Sequence, residues 1–71
     1  MEGKTEFVVF CIENLASRLG KNAADVYLAL TDEKKFLSMY IIPNYEILHT
    51  QSKEYIIDDL LEAAKEAGVK I

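Results

Sequence analysis

The sequence predicts an all-α fold, with a single compact domain of four to five short helices over residues 1–71. Two observations predict this fold. Apolar residues recur at spacings of three and four along most of the chain, which is the period of an amphipathic helix. The glycines and the proline lie where these patterns begin or end, and no stretch carries the turn signal of a β-hairpin. We expect the first four residues to be flexible, as chain termini often are.

The clearest helix follows Ser52. Thr50 or Ser52 can act as the N-cap, Gly68 supplies a left-handed stop, and Val69 is placed to pack back on the last turn. Acidic residues occupy the opposite face of this segment. The predicted apolar face comprises Ile56, Ile57, Leu60, Leu61, Ala64 and Ala67.

The first helix is predicted from Thr5, as N-cap, to Leu19, with Gly20 as its stop. Phe10 lies outside the apolar stripe, so either a second element covers it or it is exposed for a partner. A strand over residues 7–12 is the alternative, because short apolar runs are ambiguous. The stripe comprises Phe7, Val8, Cys11, Ile12, Leu15 and Leu19.

Three shorter helices are predicted between these two. Asn22 is expected to cap the second helix, which ends near Leu30, and Asp32 is expected to cap the third. Pro43 suits the first position of the fourth helix and biases Ile42 away from helical geometry. The inward residues of the second helix are predicted to be Ala23, Val26, Tyr27 and Leu30, and the third helix carries Phe36, Leu37, Tyr40 and Ile41.

Composition limits the classes of partner and cofactor. Twelve acidic and eight basic residues give a net charge of −4, which disfavours nucleic acid and anionic membranes. The lone Cys11 gives neither an internal disulfide nor a metal-ligand set, so we expect no metal, no cofactor and a cytoplasmic location. Residues 7–12 are too short an apolar run for a signal peptide. An apolar fraction of 51% in so short a chain favours self-association, which predicts a homo-oligomer.

Residues 15–30 resemble a helix-turn-helix corner. The small Ala16, Gly20 at the turn and Val26 six residues later suit two helices that cross closely. The sequence favours a small protein-interaction or regulatory module, and a DNA-binding regulator through this segment is the alternative, although base reading usually requires Arg, Lys, Asn or Gln. The residues that would enter a groove are Asn22, Ala23, Ala24, Tyr27 and Leu28, beside Asp25, and they favour a plain helical corner.

His49 is the only histidine. A catalytic base needs an orienting carboxylate and a nucleophile, and the nearby Glu46, Thr50, Ser52 and Tyr55 show no known catalytic spacing. A position at a helix end, with Thr50 forming hydrogen bonds in the turn, is the favoured interpretation. We therefore predict no enzymatic activity. The candidate interaction surface comprises Phe10, Tyr45, His49, Thr50, Gln51 and Tyr55.

Four strings carry a resemblance to a known family, namely F-V-V-F-C-I-E-N-L-A at 7–16, V-Y at 26–27, Y-E-I-L-H-T-Q at 45–51 and E-Y-I-I-D-D at 54–59. The chain resembles a small bacterial domain-of-unknown-function family, in which L-H-T-Q followed by Y-I-x-x-D is the most specific part. The resemblance implies a helical cytoplasmic protein, encoded near ADP-ribosyltransferase-like genes, with an antitoxin-like or other partner-binding role. Residues 32–42 depart from the family pattern, and the resemblance implies no active site.

Overall fold

The computed structural model describes residues 3–32 and 34–71. All regular secondary structure within these ranges is helical, which confirms the all-α prediction, and the alternative of a strand over residues 7–12 is wrong. The elements in chain order are α1 (Gly3–Leu19), α2 (Ala23–Leu30), a π-helix (Leu37–Ile41), α3 (Tyr45–Leu48) and α4 (Lys53–Ala67).

Helix α1 begins two residues before the predicted N-cap. Gly3 and Lys4 belong to its first turn, whereas Met1 and Glu2, also expected to be flexible, lie outside the described residues. Thr5 is therefore inside the helix, and its prediction as N-cap is wrong. The Tyr45 hydroxyl lies where a Cβ atom on Gly3 would be, so packing against α3 accompanies the added turn. The predicted stop is confirmed, since Gly20 has a left-handed φ of +68°.

The core draws side chains from all five helical elements. Burial of these side chains is the main source of stability for a chain of this size. An exposed ion pair between Arg18 on α1 and Asp58 on α4, at 3.0 Å, spans the outside of the core and adds little. The buried residues are Phe7, Cys11, Ile12, Leu15, Ala16, Val26, Leu30, Phe36, Ile41, Leu48, Ile56, Ile57, Leu60, Ala64 and Val69.

Helix α2 forms a corner with α1, as predicted. The Asn22 side chain accepts a hydrogen bond from the Asp25 N–H at 2.9 Å, which confirms Asn22 as the N-cap. Val26 and Leu30 are buried, but the prediction that Ala23 and Tyr27 also face inward is wrong, because both are exposed. This two-turn helix therefore contacts the core through Val26 and Leu30, which are four residues apart on one face.

The third helix begins later than predicted. Asp32 accepts a hydrogen bond from the Lys34 N–H at 2.9 Å, and Lys35 has a left-handed φ of +54°. Asp32 therefore caps a turn and not a helix, which corrects the prediction. The helix that follows is a π-helix, in which the Ile42 N–H donates to the Leu37 carbonyl oxygen at 3.0 Å.

The residue before Pro43 remains helical. Ile42 has φ −66° and ψ −46°, so the prediction that proline would move it out of the helical region is wrong. Proline only biases the residue before it, and the bond from the Ile42 N–H to the Leu37 carbonyl oxygen holds Ile42 in helical geometry here. The fourth helix, α3, begins at Tyr45 and not at Pro43. The Asn44 side chain donates back to the Tyr40 carbonyl oxygen at 2.8 Å and ties α3 to the π-helix.

Helix α4 agrees closely with the prediction. The Ser52 hydroxyl accepts a hydrogen bond from the Tyr55 N–H at 3.1 Å. Gly68 is left-handed with φ +81°, and the Val69 N–H bonds to the Ala64 carbonyl oxygen at 2.8 Å, with Val69 buried. The apolar face is narrower than predicted, because Leu61 is half-buried and Ala67 is exposed. None of the helices in residues 3–32 and 34–71 is long and apolar enough to cross a membrane.

Candidate functional site

Three of the predicted surface residues lie in one row of rings, which we call the ring row (Phe10, Phe7, Tyr45, His49). Phe10 stacks on Phe7 with centroids 6.2 Å apart, and Phe7 meets the edge of Tyr45 at 5.4 Å. Tyr45 in turn stacks on His49 at 4.5 Å. The row therefore joins α1 to α3 through Phe7, and Phe10 is half-buried within it.

The end of α3 is held by local hydrogen bonds. The His49 Nδ1 atom lies 2.8 Å from the Tyr45 carbonyl oxygen, and the Thr50 hydroxyl donates to the Ile47 carbonyl oxygen at 2.9 Å. The Gln51 amide nitrogen lies 3.4 Å from the Thr50 hydroxyl oxygen. Among the hydrogen bonds of the described residues, none joins His49 to a carboxylate. This arrangement anchors a helix end and does not pair a base with an orienting acid.

Tyr55, which was also predicted for the interaction surface, is not part of the ring row. It lies in the first turn of α4, with half of its side chain exposed. The Tyr40 hydroxyl donates a 2.7 Å hydrogen bond to the Asp59 carboxylate. That hydrogen bond, then burial, then the electrostatic interaction with Asp59 and smaller interactions with Tyr55 and Glu66 raise the pKa of Tyr40 to about 12.

A cleft lies between the π-helix and α4, and the sequence analysis did not predict it. Its volume is about 400 Å³, and we call it the Met39 cleft because Met39 is 71% exposed at its edge. Phe36 and Tyr40 stack inside it with centroids 5.0 Å apart. The signal available in the sequence was the i, i+4 spacing of these two rings beside a methionine. The lining residues are Lys34, Phe36, Met39, Tyr40, Ala63, Glu66 and Ala67.

Ile47 is a further surface residue that the sequence analysis missed. It is 66% exposed and lies between Tyr45 and His49 in sequence, next to the turn formed by Thr50. The signal was available, since Leu48 is buried and two adjacent residues of a one-turn helix rarely both face the core. The large apolar side chains with about half or more of their surface exposed are Val9, Tyr27, Leu28, Met39, Ile47 and Tyr55.

Neither an accessible thiol nor a metal-binding cluster is found among the described residues. Cys11 is fully buried, and loss of hydration raises the pKa of its thiol to about 12, so it remains protonated and inaccessible. Within residues 3–32 and 34–71, no three His, Cys, Asp or Glu side chains are placed to hold a metal ion. The outer side of α2 presents Tyr27 and Leu28, and Asp25 is its one charged residue.

The fold and surface define a class, the small all-α domains that display aromatic and aliphatic side chains to solvent. The chain belongs to the family described as "Protein of unknown function (DUF3791)", whose model matches residues 6–67. The predicted resemblance is thus confirmed at the level of the family, while the L-H-T-Q motif and the gene neighbourhood stay predictions. No curated protein matches the chain significantly. No solved structure matches it significantly either.

Proposed function

We propose that this protein is a small protein-interaction module without catalytic activity, whose partner is a second protein chain or a second copy of itself. The observation that supports this is the exposure of six large apolar side chains on a domain of 71 residues. Protein interfaces are enriched in aromatic residues and methionine, which are three of these six. A regulatory, antitoxin-like role in a bacterial cytoplasm is one form of this function.

The ring row and Ile47 make the α3 end a suitable contact surface. Stacking holds Tyr45 and His49 in one orientation, and the hydrogen bond from Thr50 holds the adjacent turn. A surface that is already ordered loses little conformational entropy when a partner binds. Ile47 projects from this ordered turn with two thirds of its surface exposed and would be the apolar anchor.

The DNA-binding alternative has weaker support. The corner between α1 and α2 has the geometry of a helix pair, and Gly20 makes its tight turn. However, the second helix exposes Tyr27 and Leu28 and carries only the acidic Asp25. A helix that enters a major groove needs cationic or amide side chains for phosphates and base edges. The exposed side of α2 therefore offers little to a phosphate group or a base edge.

Ile47→Asp tests the proposal. Phe10→Asp would be a less direct test, because Phe10 is half-buried against Phe7 and its loss would also disturb packing. Ala24→Asp is the matched control, since Ala24 is exposed on α2 and gains the same charge. We expect Ile47→Asp, but not Ala24→Asp, to lower the mass in light scattering or to lose a stoichiometric partner in affinity capture from the native cells. A wild-type protein that stays monomeric at all concentrations and captures no stoichiometric partner would refute the proposal.

A further inference from the structure

The Met39 cleft combines an apolar interior with a fixed geometry. Phe36 is buried and stacks on Tyr40, while the Tyr40 hydroxyl is held by Asp59 at 2.7 Å. Both rings are therefore fixed before any partner arrives. Met39 stands at the edge with 71% of its surface exposed, and its flexible thioether can adapt to an incoming apolar side chain.

The backbone beneath the cleft is unusual. Met39 belongs to a π-helix, and Lys35 in the turn before it has a left-handed φ of +54°. Short π-helical segments and non-glycine left-handed residues are both costly and are often found at binding sites. These features act together to place Met39 outward while Ile41 in the same helix remains fully buried.

An acidic stripe on α4 runs beside the cleft. Asp59, Glu62 and Glu66 follow one another at spacings of three and four, so they lie along one face of α4. Glu66 lines the cleft, and Asp59 accepts a hydrogen bond from Tyr40, which also lines it. Three carboxyl groups therefore lie in a row on α4 next to the cleft.

Lys34 is the one cation that lines the cleft among the described residues, and its ammonium group lies near the end of α4. The Lys34 ammonium nitrogen lies 3.6 Å from the position that a Cβ atom would take at Gly68, over the carboxyl end of α4. The negative end of the helix dipole favours a cation there. The acidic stripe therefore has no cationic partner from the cleft lining.

We infer that the Met39 cleft is the docking site for a cationic amphipathic helix of another protein. This inference rests on the proposed function and adds a second contact surface, together with the chemistry of the helix that binds it. Apolar residues of the incoming helix fill the cleft beside Met39, and its Lys or Arg residues pair with the acidic stripe. A second copy of this chain does not fit, because no helix within the described residues carries more cationic than anionic side chains.

A defined peptide tests this inference. The probe is a fluorescent synthetic helix with leucine on one face and lysine on the other, measured by fluorescence anisotropy against the purified protein. Two control peptides are a scrambled sequence without an apolar face and a version with glutamate in place of lysine. Binding of the lysine peptide, weakened by added salt, is the expected result.

Matched variants locate the site. We expect Met39→Asp to weaken binding at least tenfold, which is typical of the loss of an interface anchor residue. We expect Glu66→Lys to weaken binding several-fold. Leu28→Asp on α2 and Glu13→Lys on α1 are the controls, since both residues are exposed and lie outside the cleft lining. Each control should change the dissociation constant less than twofold. All four positions are exposed, so circular dichroism should show the same helical content in each variant.

Four results would overturn the inference. Absence of binding, or equal weakening by Met39→Asp and Leu28→Asp, would show that the cleft is not the site. Equal binding of the glutamate peptide would remove the role of the acidic stripe. A wild-type dimer that Met39→Asp converts to a monomer would show that a second copy covers the cleft. Absence of binding, equal weakening by the two variants, or equal binding of the glutamate peptide would leave the proposed function standing if capture still recovers a partner that Ile47→Asp loses.

Discussion

Replacement of Leu60 by alanine tests whether α4 stabilises the domain as the structure indicates. Leu60 is fully buried in the middle of α4, where alanine is an equally good helix former, so the change removes packing and leaves helix propensity unharmed. Buried Leu→Ala substitutions cost about 2–5 kcal/mol. A domain of this length has a free energy of unfolding of about 4–10 kcal/mol. We therefore expect Leu60→Ala to remove about 3 kcal/mol, a large share of the total.

Two leucines provide matched controls at lower burial. Leu61 is the next residue of α4 and is half-buried, so Leu61→Ala should cost about 1 kcal/mol. Leu28 is 63% exposed on α2, so Leu28→Ala should change the stability by less than about 0.5 kcal/mol. The same substitution at three positions thus separates burial from the chemistry of the side chain.

The assay is urea unfolding followed by far-ultraviolet circular dichroism. With a slope of about 1 kcal/mol per molar urea, the midpoint should fall by about 3 M for Leu60→Ala and by about 1 M for Leu61→Ala. The slope itself should not change. Equal midpoint shifts for Leu60→Ala and Leu28→Ala would refute the arrangement of the core. A larger effect at Leu61 than at Leu60 would show that α4 packs through a different face.

Two further predictions concern local contacts. Ser52→Ala should cost about 1 kcal/mol by removing the N-cap of α4, whereas Ser52→Asn should retain most of the stability. Thermal unfolding measures both. Equal melting temperatures for wild type and Ser52→Ala would show that the Ser52 cap does not stabilise α4. Tyr40→Phe tests the hydrogen bond to Asp59 at alkaline pH. Because the pKa of Tyr40 is raised from 10 to about 12, the stability that this hydrogen bond contributes is fully present below pH 10. It is lost as the pH rises through about 12. The variant should therefore lose less stability than wild type over this window in urea titrations, and parallel losses would show that the bond to Asp59 contributes nothing.

The start of α2 and both ends of α4 could be predicted because their signals are local. Ser52 and Asn22 each accept a backbone N–H three residues ahead, and Gly68 adopts the left-handed conformation that ends α4. Such contacts depend only on neighbouring residues. The turn through Lys35 and the π-helix could not be predicted, because burial of Phe36 and Ile41 against other helices determines that backbone.

The same distinction applies to the candidate surfaces. Tyr45 and His49 are one turn apart on α3, so their stacking follows from the sequence alone. Their link to Phe10 needs Phe7 and the packing of α1 on α3, which no spacing in the chain reveals. The Met39 cleft is harder still, because its walls come from two segments with α3 between them. Its acidic stripe and the i, i+4 spacing of Phe36 and Tyr40 are both visible in the sequence, but the packing that brings them together is not.

The burial of Cys11 gives the protein an internal reporter of its own opening. The chain has one cysteine, and its thiol is both fully enclosed and held protonated by a pKa of about 12. A thiol reagent reacts with the thiolate, so labelling must wait until the core around α1 opens and exposes the sulfur to water. The rate of modification therefore measures how often the native domain opens, in the absence of denaturant. Ligands that bind only the closed domain will slow that rate, so a partner can be detected through the sulfur without attaching a probe to its binding surface.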